Sequence, residues 1–184
     1  YTAVWTPPTN AQGSVTISVA AGAYTDAAGN PGSNAVSQTL VYDTKPPTVT
    51  LTATAATASA NNISFTLTGD ESIDCSTLAL TNGVDFDFTN VSMINSIIQT
   101  SPTVCTINVT ANATRGSPKS ASLAKAASFE IADSNGNLAT ALTVTSATTL
   151  VTIPSIAPTA PQNVSGLVGD ASVTLSWLAP LNNG

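Results

Sequence analysis

Histidine is absent from this 184-residue chain. That removes the general base on which Ser-His-Asp and Cys-His catalysis depends. Charge is also scarce: Asp, Glu, Lys and Arg make up 8% of residues, against roughly 25% in ordinary globular domains. Only four residues are Lys or Arg, and the net charge is −6. A chain so poor in cations cannot track a phosphate backbone or hold an anionic lipid surface, so neither nucleic-acid nor membrane contact is expected within it. No apolar run approaches the ~20 residues of a membrane helix. No initiator Met and no basic-then-apolar leader occurs, and both ends read as cut from a longer chain. No phosphate-binding Gly loop is present either. Paired carboxylates do occur, Asp70 with Glu71 and Asp85 with Asp87. In "VDFDF" (residues 84–88), alternation turns Phe86 and Phe88 inward and both Asp residues outward, away from any cleft of the kind glycoside hydrolysis needs. The expectation is a chain that is not an enzyme.

What fills the place of charge is Thr, Ser, Ala and Asn, with 42% hydrophobic residues arranged by twos. Val15, Ile17 and Val19 share one parity; so do Ile63, Phe65 and Leu67, then Cys105, Ile107 and Val109, and Val173, Leu175 and Trp177. This period marks strands with one buried face, and the β-branched composition agrees with it. Residues 120–132 alone could pass as helical, and their end, "FEIA", alternates. The fold class is all-β. Trp177 is expected in a core, whereas Trp5 lies beside Pro7 and Pro8 and is less constrained. Two Pro-rich joints, "YDTKPPTV" (Tyr42–Val49) and "IPSIAPTAPQNV" (Ile153–Val164), read as short stiff linkers, because Pro lacks a ladder N–H and holds its predecessor extended. They divide the chain into 1–45, 46–156 and 157–184, and only the middle part is long enough to bury its own core.

A motif recurs. "AYTDAAGNPGSNAV" begins at Ala23 and "FEIADSNGNLATAL" at Phe129, each carrying Asp-x-x-Gly-Asn as Asp26-Gly29-Asn30 and Asp133-Gly136-Asn137. Asp26 lies 20 residues before Pro46, and Asp133 lies 21 before Pro154, so both occupy one place in a repeated module. A period near 100 residues indicates beads on a string. With its "AGAYTDAAGNP" turn and "DTKPPTV" joint, the first part resembles the end of a bacterial Ig-like domain of large surface proteins and adhesins. The middle part, with "PPTVTLT" and "FEIADSNGN", resembles a divergent relative. The tail, with Pro158, Pro161, Trp177 and Pro180, resembles the first strands of a fibronectin type III domain. This implies Ig-like β-sandwich modules in tandem on an extracellular or cell-surface protein.

Two cysteines, Cys75 and Cys105, have no His to assist them. In a secreted β-protein such a pair reads as a disulfide; the alternative is two separately buried thiols. Closing a loop of about 30 residues contributes about 3–4 kcal/mol on chain-entropy grounds. The Asp-x-x-Gly-Asn turns raise a metal question. Asp133, Asn135 and Asn137 present oxygens at alternate positions, as an EF-hand loop begins, but the Gly and the distal Glu of that loop are missing. Asp26 and Asn30 are the matching residues of the first copy, and Asp43, Asp70, Glu71 and Asp74 are further donors. The simpler reading is an Asx turn, with Gly at positive φ and no cofactor; the alternative is a structural Ca²⁺. The expected function is a non-catalytic stalk fragment of a secreted or cell-surface multi-module bacterial protein, monomeric within its longer chain, whose partner is an unidentified cell-surface protein or glycan. Two alternatives stand beside it: a ligand-binding module using "NVSMINSIIQTSP" (Asn90–Pro102), and an accessory module of an extracellular polysaccharide-degrading enzyme.

Overall fold

A computed structural model describes residues 2–182. The chain forms a hairpin of β1 (Gln12–Val19) and β2 (Val36–Asp43), and then enters the central body. There follow β3 (Val49–Ala53), β4 (Thr57–Ala58), β5 (Asn62–Gly69), β6 (Ile73–Asp74), a 3-10 turn (Cys75–Thr77), β7 (Phe86–Thr89), β8 (Val91–Ser101) and β9 (Val104–Ala111). The body closes with β10 (Lys119–Lys125), β11 (Ile131–Asp133), β12 (Leu138–Ala139) and β13 (Ser146–Val151). A second hairpin, β14 (Gln162–Gly169) with β15 (Ser172–Leu178), ends the chain.

The body is an all-β sandwich. One sheet has the order β3-β5-β9-β8 and the other β4-β13-β10-β7, with a small β12-β11-β6 sheet at one end. The chain changes sheets between β3, which pairs with β5, and β4, which pairs in parallel with β13. Register explains the core. Leu51 lies opposite Leu67, Leu67 opposite Cys105, Phe65 opposite Ile107 and Ile63 opposite Val109, so one parity of three strands forms a single apolar face. Leu123, Ala147, Val151 and Phe86 from the facing sheet meet it, and Phe65, Leu67 and Phe86 are fully buried. Each such side chain contributes about 1.5–3 kcal/mol by leaving water. The Phe86 and Phe129 rings pack tilted at 60° with centroids 5.8 Å apart. Thr149, the buried hydroxyl residue, is satisfied by the Ala55 carbonyl at 2.8 Å.

The cysteines form a disulfide between Cys75, opening the 3-10 turn, and Cys105 on β9. It pins the β6 end of the body to the central sheet. No helix among the described residues is long and apolar enough to cross a membrane.

Three expectations fail. Asp85 does not face outward: it is buried, because β7 begins only at Phe86 and Asp85 belongs to the preceding loop. Its oxygens accept the Ala79 N–H at 2.5 Å and the Glu130 N–H at 3.3 Å, which staples that loop down. Trp177 is not in a core; it is 60% exposed, because β14 and β15 form a two-stranded sheet with no second layer over its apolar face. The β1–β2 hairpin likewise leaves Val19, Val36 and Leu40 exposed. Trp5 packs edge-on against Tyr42 at 5.0 Å between centroids. Strand β8 is a single bent edge strand whose register against β9 shifts three times. It buries Ile94 and leaves Met93 and Ile98 about half exposed.

Candidate functional site

The repeated turns are built alike. In the first, Asp26 Oδ1 accepts the N–H groups of Ala28 and Asn30, and Oδ2 accepts Asn30 Nδ2. In the second, Asp133 Oδ1 accepts the N–H groups of Asn135 and Asn137, and Oδ2 accepts Asn137 Nδ2. Gly29 and Gly136 both take φ of +87°, which explains the glycine at that place. The hydrogen bonds from Asn30 hold the Asp26 carboxyl below its ordinary value of 3.8. What differs is the surroundings. Asp26 is exposed, while Asp133 is 4% exposed and meets the joint between the first hairpin and the body.

Side chains from both flanks converge on that joint. Thr44 ties the linker back to the first hairpin: its N–H donates to the Ala11 carbonyl at 2.8 Å, and its hydroxyl lies 2.6 Å from the Pro8 carbonyl oxygen. Lys45 reaches forward, its Nζ 3.0 Å from Asp70 Oδ2. Asp70 Oδ1 accepts the Thr48 N–H at 2.7 Å. That backbone bond, followed by Lys45, holds the Asp70 carboxyl low despite some burial; the same contact raises Lys45. Asp43, the last residue of β2, accepts from the far side of the joint: Asn135 Nδ2 donates to its Oδ2 at 3.2 Å and Asn137 Nδ2 to its carbonyl at 3.3 Å. The Asn137 amide thus gives one proton to Asp133 and one to Asp43.

Carboxylate oxygens of Asp43, Glu71 and Asp133 lie within 4.8 Å of one another. Glu71 Oε1 is buried and accepts no hydrogen bond. Its nearest cation, Lys45 Nζ, is 3.9 Å away, beyond hydrogen-bonding distance. Burial, then the charge of Asp43, raises the Glu71 carboxyl above its ordinary 4.5. For Asp133, burial pushes upward most strongly as a single cause, but the hydrogen bonds from Asn137, Asn135 and Gly136 together hold it below 3.8. Three carboxylates with one unsatisfied oxygen are the donor chemistry of a hard divalent cation, which takes oxygen ligands. Asp43, Glu71 and Asp133 are therefore the residues that could hold a divalent cation here.

The sequence-predicted ligands divide accordingly. Asp133 belongs to this cluster. Asn135 and Asn137 border it, but through their amide nitrogens, as donors to Asp43. Asp26 and Asn30 serve their own turn, and Asp26 joins no group of three acidic residues among the described residues. Asp74 caps the 3-10 turn through the Ser76 N–H, and Asp70 pairs with Lys45. No protein-family model, curated protein or solved structure matches the chain.

Proposed function

We propose that this chain is a non-catalytic structural and adhesive stalk segment of a secreted or cell-surface bacterial protein, with Ig-like modules in series followed by a fibronectin type III-like one. The observation that carries the reading is the joint at Asp43–Pro47. A flexible tether needs no side-chain contact across it. Here Asn135, Asn137 and Asp70 of the body all bind the segment that leaves β2. Such contacts fix the direction in which one module follows another, which is what a projecting rod requires. A Ca²⁺ on Asp43, Glu71 and Asp133 would bind both flanks at once and stiffen the joint further. The disulfide suits an oxidising extracellular setting. The scarcity of charge and the absence of His support a mechanical rather than a catalytic role. The test is small-angle X-ray scattering on the full chain in millimolar calcium and in chelator. A single extended shape, tighter in its distribution with calcium, supports the reading. A first hairpin that samples all directions in both conditions would sink it.

One observation favours a second reading, a binding module for a glycan or a host protein: Met93 and Ile98 stand half exposed on the β8 edge. Glycan-array and cell-binding assays with Met93→Ser/Ile98→Ser decide it; binding that these changes abolish would make that edge the working surface.

A further inference from the structure

We propose that Asn135 is a modification site: it deamidates with Gly136, and the product replaces a hydrogen bond across the joint with a new carboxylate. The chemistry needs only water. The Gly136 backbone nitrogen gives its proton to solvent base and attacks Asn135 Cγ. The Cγ–Nδ2 bond breaks, and ammonia leaves with a proton from water. The cyclic imide then adds water at one of its two carbonyls, and the broken imide bond yields aspartate or isoaspartate.

Two Asn-Gly pairs lie among the described residues, and the structure distinguishes them. At Asn82, Oδ1 accepts the Phe88 N–H at 2.8 Å and the Gly83 N–H donates to the Phe86 carbonyl at 2.8 Å. Both reacting groups are held by short bonds, and closing the imide would break both. At Asn135, no protein hydrogen bond reaches Oδ1, and the Gly136 N–H donates to the Asp133 carbonyl at 3.2 Å. That distance is at the long limit for N–H···O. A Cβ on Gly136 would meet nothing within 4 Å, so no other part of the chain crowds the turn at this residue. Asn135 is exposed and lines an open groove with Gln12, Val41, Tyr42 and Asp43, through which water enters and ammonia leaves. The first copy of the turn has Ala28 in this place and cannot react.

The leaving nitrogen is the one that donates to Asp43 Oδ2. Conversion therefore removes a donor and sets a carboxylate against Asp43, beside Glu71 and Asp133. Without a divalent cation the joint loosens as the protein ages. With one, the new oxygens add to the ligand set, a consequence that rests on the proposed Ca²⁺ site.

The test incubates the full chain at mildly alkaline pH and 37 °C, then maps peptides by mass spectrometry. Asn135 should convert several-fold faster than Asn82, and Gly136→Ala should slow it; Asn135→Gln, whose longer side chain closes a less favourable ring, should leave the peptide unchanged. Asn82 converting as fast as Asn135 overturns the proposal, as does an unaltered Asn135 after a period in which urea-unfolded chain converts. These results do not depend on calcium. A second arm compares Asn135→Asp with the parent by scattering: a broader distribution in chelator, narrowed by calcium, is expected. Equal distributions in chelator would refute the loosening of the joint, and a failure of calcium alone would count against the ion site while leaving the deamidation result standing.

Discussion

Replacing Glu71 by Gln should change sign with calcium. In the parent protein, Glu71 Oε1 is a buried carboxylate oxygen with no hydrogen bond, and its side chain is 18% exposed. Leaving a neutral acceptor in that state costs about 1–3 kcal/mol and a charged one more, and the partial exposure together with the Lys45 charge 3.9 Å away brings the figure to the lower end of that range. Gln removes one of three clustered negative charges and supplies an N–H₂ that can donate to Asp43 or Asp133. In chelator the variant should therefore be more stable by about 1 kcal/mol, a rise of about 4–8 °C for a body of this size. Calcium reverses the comparison. At a hundredfold excess over its Kd, an ion that binds only the folded state stabilises the parent by about 2.7 kcal/mol. The variant retains two of the three carboxylates and should recover less than half of that. Differential scanning calorimetry of both full chains, each with millimolar calcium and with chelator, gives the four values required. A destabilised variant in chelator would show that the ion pair of Glu71 with Lys45 at 3.9 Å outweighs the repulsion from Asp43 and Asp133. An undiminished calcium shift in the variant would show that Glu71 is no ligand.

Removing the disulfide by Cys75→Ala/Cys105→Ala should cost about 3–4 kcal/mol, or roughly 12–30 °C, and reductant acting on the unfolded parent should give the same midpoint on rescanning. Asp133→Ala should cost about 2–4 kcal/mol with calcium present, because three N–H donors lose a buried acceptor, while Asp26→Ala, whose identical turn is open to water, should cost clearly less; urea unfolding compares them. The pH dependence of the midpoint in chelator follows from two opposed signs. Asp70, Asp74 and Asp133 are held below 3.8, so their contribution exists above that value and is lost as pH falls through the folded-state values. Glu71 is raised above 4.5, so its contribution is present below that value and is lost as pH rises through its folded-state value. The midpoint should therefore climb with pH through the region below 3.8 and give some of the gain back above 4.5, and Glu71→Gln should abolish only the second change.

How much of this was legible in the sequence depends on how local each feature is. The all-β class and the buried faces were, because alternation in "NISFTLTG" and "VCTINVTA" assigns Phe65, Leu67, Ile107 and Val109 to one face without knowledge of their neighbours; the two-layer sandwich rests on the resemblance. The twin turns were too: Asp, Gly and Asn at fixed offsets determine the hydrogen bonds within five residues, and both copies obey them. The period fails at Asp85, which lies in the loop before the strand whose alternation it continues, and at Trp177, where inward parity has no covering layer to face. The joint was legible only as a set of donors. Asp43, Glu71 and Asp133 belong to three separate segments, and no local pattern says that they meet. Composition did hold a clue of another kind. Ten acidic residues and four basic ones leave this surface almost free of charge, yet three of the ten acidic residues come within 4.8 Å of one another, with one of the four cations 3.9 Å from the buried Glu71 oxygen. In a chain that avoids charge elsewhere, repulsion concentrated at a single point needs a compensating interaction. The amides of Asn135 and Asn137 supply part of it and Lys45 another part, and the unsatisfied oxygen of Glu71 is where a further donor or cation would act.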